Sequence, residues 1–133
     1  MSYADEFRQS LADPEGFWRD KAEQIPWFKP PAQILSKDEN NVWRWFTGGK
    51  MNTAWLALDR HVDAGRGEQV ALIYDSAVTG KTAKYTYAEL TDWVAAVAGG
   101  LVGLGVEKGD RVVIYMPMVP EVVVSMLACA RIG

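Results

Sequence analysis

Arg111-Val112-Val113-Ile114-Tyr115-Met116 is the stretch on which the fold class turns. It reads as a continuous apolar strand, of the kind buried on both faces of a parallel sheet. Ahead of it, Lys108-Gly109-Asp110 is a turn. Behind it, Pro120-Glu121 opens a helix that runs to the last residues and is apolar nearly all round, so it expects cover on several sides. Upstream, Thr86-x-x-Glu89 is a capping box that starts a helix with Leu90, Trp93, Val94, Val97 and Leu101 on one face, ended by Gly103 and Gly105. Before that helix, residues 69–74 and 84–86 read as two strands joined through a turn at Thr79-Gly80-Lys81. Alternating strands and helices predict an α/β fold. A buried-type helix with no strand after it predicts that this fold is incomplete and that the sequence is part of a longer chain.

Further upstream the composition changes near residue 65. Ten of the fifteen aromatic residues, five of them Trp, fall within the first sixty positions, and the remainder is rich in Val, Ala and Gly. Two domains are therefore expected, an aromatic-rich extension over residues 1–65 and the start of a larger domain over 66–133. Within the extension, Ser2 caps a first helix with Asp5 in its first turn. Asp13-Pro14-Glu15 starts a second, on which Phe17, Trp18, Lys21 and Ile25 share helical spacing until Pro26. Residues 27–41, with Pro30-Pro31, read as an irregular loop packed through its aromatics. Residues 42–46 read as a short strand and Gly48-Gly49 as a turn. Asn52 caps one helix carrying Trp55, Leu58, Asp59 and Val62, ended by Gly65.

The 133 residues carry 14 basic and 17 acidic side chains, a net charge of -3, and 49% hydrophobic residues. That balance excludes a disordered chain and gives no electrostatic footprint for a nucleic acid. One cysteine, Cys129, excludes an internal disulfide and a cysteine-cluster metal site, and fits a reducing, cytoplasmic compartment. The apolar run from Val112 to Ile132 is broken by Pro117, Pro120, Glu121 and Arg131, so no membrane partner is expected.

Four places invite a chemical reading. Asp75-Ser76-Ala77-Val78-Thr79-Gly80-Lys81-Thr82 ends like a phosphate-binding loop, yet Asp75 stands where that loop needs glycine, and strand rather than helix follows. A hairpin turn is the better reading. Thr47-Gly48-Gly49-Lys50 has the small residues and cation of a phosphate contact, and a plain turn explains them as well. His61, the single histidine, sits beside Asp59 and Arg60 near a helix end, where a cation complements the helix dipole. Cys129, flanked by Ala128 and Ala130, reads as a small buried hydrophobe. The tryptophans read as packing and interface anchors, and the scattered carboxylates mark no catalytic pair.

Gly105-Val106-Glu107-Lys108-Gly109-Asp110-Arg111, continuing through Met116-Pro117-Met118-Val119-Pro120-Glu121 to Met126-Leu127-Ala128-Cys129-Ala130-Arg131-Ile132-Gly133, resembles the N-terminal region of AMP-forming short-chain acyl-CoA synthetases. These are the acetyl-CoA and propionyl-CoA synthetases of the adenylate-forming superfamily. Trp45-Phe46-Thr47-Gly48-Gly49-Lys50-Met51-Asn52, Leu58-Asp59-Arg60-His61 and Thr86-Tyr87-Ala88-Glu89-Leu90 agree in order and spacing, and Phe17-Trp18 and Trp27-Phe28-Lys29-Pro30 look like that family's N-terminal extension. The resemblance implies a ligase that joins a carboxylate to ATP, releasing pyrophosphate, and then passes the acyl group from AMP to the CoA thiol. It implies ATP, CoA and Mg for the parent enzyme, with a phosphate loop and a lysine to neutralise developing charge. Those family motifs lie beyond Gly133, so no catalytic, cofactor-binding or metal residue is carried over. The 133 residues are expected to be inactive alone and to bind none of these ligands tightly.

The remaining expectations concern partners. The resemblance implies the rest of the parent chain and a short-chain carboxylate, acetate or propionate, with residues 71–79 looking more like the propionate-activating members. The alternative is a free-standing, self-associating binding or scaffold module without enzymatic activity, covering its unfinished sheet edge with another copy.

Overall fold

A computed structural model of the chain describes residues 2–133, which fall into two compact units, one ending at Met51 and the other spanning Asn52–Gly133.

The first unit begins with two helices whose starts follow from their caps. At α1 (Tyr3–Ala12), the Ser2 hydroxyl accepts from the Asp5 amide while the Asp5 carboxylate accepts from the Ser2 amide. Those Ser2 hydrogen bonds, and then Arg8, hold the Asp5 carboxyl below its ordinary pKa. At α2 (Pro14–Ala22), Asp13 accepts from the Gly16 amide and Pro14 occupies the first turn. Residues 27–41 are not wholly irregular. They contain β1 (Gln33–Lys37), which pairs antiparallel with β2 (Trp43–Thr47), placing Leu35 opposite Trp45 and Lys37 opposite Trp43. The turn between them is built by Asp38, whose carboxylate accepts from the amides of Asn40 and Val42 and from Arg44. Asn41 takes the left-handed conformation there, at φ 59°.

Among the described residues, only Ala22 and Ile34 are buried in this unit. Its cohesion comes from aromatic contacts running Phe17, Trp18, Trp45, Phe46, Trp27 at centroid distances of 5.3 to 5.9 Å. The Trp27 indole N–H is anchored by donating to the Ala22 carbonyl at 2.8 Å. The packing reading of these tryptophans therefore holds.

The second unit carries the larger core. The single helix expected after Asn52 is instead three pieces: α3 (Thr53–Ala57), α4 (Asp59–His61) and a π-helical turn, Val62–Arg66. Leu58 breaks the run, at φ -125° and ψ -76°, because the turn drives its side chain into the core, where it is 2% exposed. Gly65 ends the segment in the left-handed region at φ 76°. The two strands read from sequence are β3 (Val70–Ser76) and β4 (Lys81–Thr86), an antiparallel hairpin with Tyr74 opposite Ala83 and Ser76 opposite Lys81. Thr86 and Glu89 form the expected capping box of α5 (Tyr87–Gly103), and α6 spans Pro120–Ile132. Leu90, Val94 and Ala98 of α5 meet Val124 and Ala128 of α6, both sets spaced four residues apart so that one ridge of each helix lies against the other.

Residues 111–116 depart from expectation. They belong to no strand, and among the described residues no strand pairs with them. Val113 is 92% and Tyr115 100% exposed, and only Ile114 is half-buried. A strand is a shared hydrogen-bond ladder, so an apolar run without a neighbouring strand stays an open segment. The mixed helix-and-strand architecture agrees with the α/β reading, and the incompleteness of the fold is visible in this segment.

Candidate functional site

Each place singled out for chemistry has a definite structural setting. The Thr79-Gly80-Lys81 segment is the tip of the β3–β4 hairpin, and the helix that a phosphate loop needs does not follow it. Its amides are engaged locally: Gly80 donates to the Ser76 carbonyl at 2.8 Å, Thr79 to the Ser76 hydroxyl and Lys81 to the Thr79 hydroxyl. The hairpin reading holds.

Thr47-Gly48-Gly49-Lys50 is likewise a turn with its donors in use. The Gly49 amide donates to the Phe46 carbonyl, the Lys50 amide to the Lys29 carbonyl, and the Thr47 hydroxyl is 2.9 Å from that of Ser36. Gly48 has φ 80°, and a Cβ at Gly49 would lie 3.0 Å from the Trp27 ring. Gly48 serves the left-handed turn and Gly49 the close approach of the Trp27 ring.

His61 stacks on Tyr87, with ring centroids 4.6 Å apart, and accepts a hydrogen bond from Arg66 at Nδ1. Desolvation first, then the charges of Arg66 and Arg60, push its pKa below the usual imidazole value. The packing against Tyr87 is structural, but burial and two neighbouring arginines disfavour the charged ring, so the helix-end cation expected from the sequence is not supported. Cys129 is free and half-buried on α6. No group of three or more His, Cys, Asp or Glu among the described residues is placed to hold a metal ion.

Two clefts bear on ligand binding. In the first unit, one of about 660 Å³ is lined by Arg19, Trp27, Pro31, Ile34 and Leu35, with a 2.8 Å Arg19–Glu15 ion pair at its wall. In the second, one of about 220 Å³ lies between β3 and the start of α6, lined by Leu72, Tyr74, Met118, Val119 and Val123. The second is lined mainly by apolar side chains, and the one charged residue on its wall, Asp75, would repel a phosphate.

The strongest polar cluster was not singled out in the sequence. Asn52 donates from its side-chain amide to the carbonyls of Ala130 and Arg131, both at 3.0 Å, and Arg131 grips Asp59 through two hydrogen bonds of 2.7 and 2.9 Å. The partners are more than 70 positions apart, so no local spacing announces them. These groups hold helices together and face no cleft described above.

Comparison with known proteins turns this scaffold into a family assignment. The family described as acetyl-coenzyme A synthetase N-terminus matches residues 3–57, and the AMP-binding enzyme family matches residues 58–133. The chain belongs to the AMP-binding enzyme family. Similar sequences include an uncharacterized protein of Pseudomonas aeruginosa, 52% identical over 133 residues and covering 100% of this chain and 21% of that one. Another is the human mitochondrial acyl-CoA synthetase short-chain family member 3, 48% identical over 131 residues, covering 98% of this chain and 19% of that one. The solved acetoacetyl-CoA synthetase from Streptomyces lividans superposes with a TM-score of 0.84 at 34% identity, over 100% of this chain and 20% of that one. This chain thus spans about one fifth of the length of the relatives it matches, at their N-terminal end. The resemblance drawn from the sequence motifs is borne out.

Proposed function

We propose that the chain is the N-terminal part of an AMP-forming short-chain acyl-CoA ligase, which makes acyl-CoA from acetate or propionate, ATP and CoA through an acyl-adenylate. The observation that carries this reading is the uninterrupted tiling of the chain by the two families, on a backbone shared with an acyl-CoA synthetase. The domain organisation belongs to the same proposal: an aromatic-rich extension, then the beginning of the AMP-binding domain. Mg accompanies ATP in the parent enzyme, in the cytoplasm, and the rest of the parent chain supplies the phosphate loop, the acyl pocket and the CoA contacts. The 133 residues alone neither turn over nor hold these ligands tightly. No helix among the described residues is long and apolar enough to cross a membrane.

The test is ATP-dependent pyrophosphate release with acetate and with propionate, run on this chain and on a version extended to the length of its relatives. Release by the extended protein only is the expected result. Release by the 133 residues themselves would overturn the assignment of the chemistry to the rest of the parent.

A second reading of the isolated chain, self-association, is favoured by one observation: Ile73 of β3 and Val113, Tyr115 and Met118 in and beside the segment that joins no strand are 66 to 100% exposed. Sedimentation of the 133-residue chain at rising concentration tests it. A particle that stays monomeric throughout would exclude it.

A further inference from the structure

We propose that Asn52 is a two-ended positioning residue that fastens the last turn of α6 to the start of α3, making residues 52–57 a structural part of the AMP-binding portion although they match the acetyl-coenzyme A synthetase N-terminus. The two ends of its side chain have different tasks. Its Oδ1 accepts from the Trp55 amide at 3.1 Å, which caps α3. Its Nδ2 donates to the Ala130 and Arg131 carbonyls at the C-terminal turn of α6, two of the acceptors that a helix end leaves without an intrahelical partner. Among good N-cap residues only asparagine carries an acceptor and a pair of donors on one planar group. Serine, threonine and aspartate supply the cap and lack that pair.

The surrounding contacts agree with this role. Ala54, the second residue of α3, is completely buried, and α3 packs on α6. Asp59, at the start of α4, holds Arg131 from the other side. The final turn of α6 is therefore gripped twice by residues 52–59, which straddle the limit between the two matched families at 57 and 58. This inference stands on the hydrogen bonds alone and does not depend on the reaction proposed above.

Residue-resolved amide hydrogen exchange on the 133-residue chain tests it with Asn52→Ser and Asn52→Ala. Serine keeps the acceptor for the Trp55 amide and cannot replace the two donated bonds. The expected result for Asn52→Ser is exchange about tenfold faster at the amides of Arg131, Ile132 and Gly133, with α5 unchanged. Asn52→Ala should add faster exchange in α3. Asn52→Asp, which caps α3 but repels the carbonyls, is read in the same way should the serine variant not fold. Unchanged exchange at the end of α6, or an equal rise throughout α5 and the β3–β4 hairpin, would overturn the proposal.

Discussion

Arg131 lays both terminal guanidinium nitrogens on the carboxylate of Asp59, across 72 positions of sequence, with side chains 30% and 20% exposed. A paired, partly buried contact of this kind differs from the exposed ion pairs elsewhere on the chain, such as Arg19–Glu15 at 57% and 52% exposure. Removing one partner leaves the other charge half-desolvated. Asp59→Asn and Arg131→Gln should each lower the unfolding free energy by about 1–3 kcal/mol. Urea denaturation of the single and double variants checks this, and coupling energies near zero would remove the pair from the account. Arg19→Gln should fall within about 0.5 kcal/mol of the parent chain.

The α5–α6 contact predicts a sharp contrast between two apolar side chains. Leu90 is 3% exposed and lies in the core with Val94 and Val124, so Leu90→Ala should cost about 2–5 kcal/mol. Val113 is 92% exposed, and Val113→Ser should change stability by no more than about 0.5 kcal/mol. Denaturation midpoints measured side by side decide it.

Two glycines should fail for different reasons. Gly49→Ala places a Cβ 3.0 Å from the Trp27 ring and 3.1 Å from the Phe46 carbonyl, so the damage is steric and belongs to the first unit. Gly80 has open space around it but sits at φ 66°, so Gly80→Ala should cost about 1 kcal/mol of backbone strain, and Gly80→Asn less. Trp fluorescence, with four of six indoles (Trp18, Trp27, Trp43 and Trp45) in the first unit, reports the first variant. Global denaturation reports the second.

Acid should weaken the second unit through His61. Its folded pKa lies below the unfolded value near 6.5, so the unfolded chain takes up the proton first as pH falls. The contribution is fully present above about pH 6.5 and is lost as pH drops through the lower folded value. A distinct carboxylate window opens only below 3.8, where Asp38, held down chiefly by the Val42 amide, begins to protonate. Stability measured from pH 8 to pH 5 should decline in the parent chain and flatten in His61→Gln.

If the proposed ligase activity holds, Lys81→Ala in the version extended to the length of its relatives should leave kcat and KM for ATP within about twofold of the unsubstituted value, because Lys81 opens β4 opposite Ser76 in a hairpin whose turn amides are engaged locally. A loss of a hundredfold or more in pyrophosphate release would restore the phosphate-loop reading.

Local chemistry was legible residue by residue. Ser2 with Asp5, Asp13 with Pro14, and Thr86 with Glu89 start helices within three or four positions, and the hairpin around Gly80 announces itself through its turn. What escaped the sequence involved partners at a distance. Residues 33–37 become a strand only because residues 43–47 lie beside them, and the helix after Asn52 breaks at Leu58 because the core draws that side chain inward. Residues 111–116 have a strand's composition and lack a neighbour.

Caps, turns, apolar spacing and family motifs are written in neighbouring residues, where a side chain answers a backbone group a few atoms away, and the sequence by itself determined them. Which loop pairs with which strand, where a helix breaks, and that Asn52, Asp59 and Arg131 converge were decided by tertiary structure alone. Hydrogen bonds and burial between groups more than 70 positions apart depend on how the chain folds back on itself, and no local pattern encodes that return.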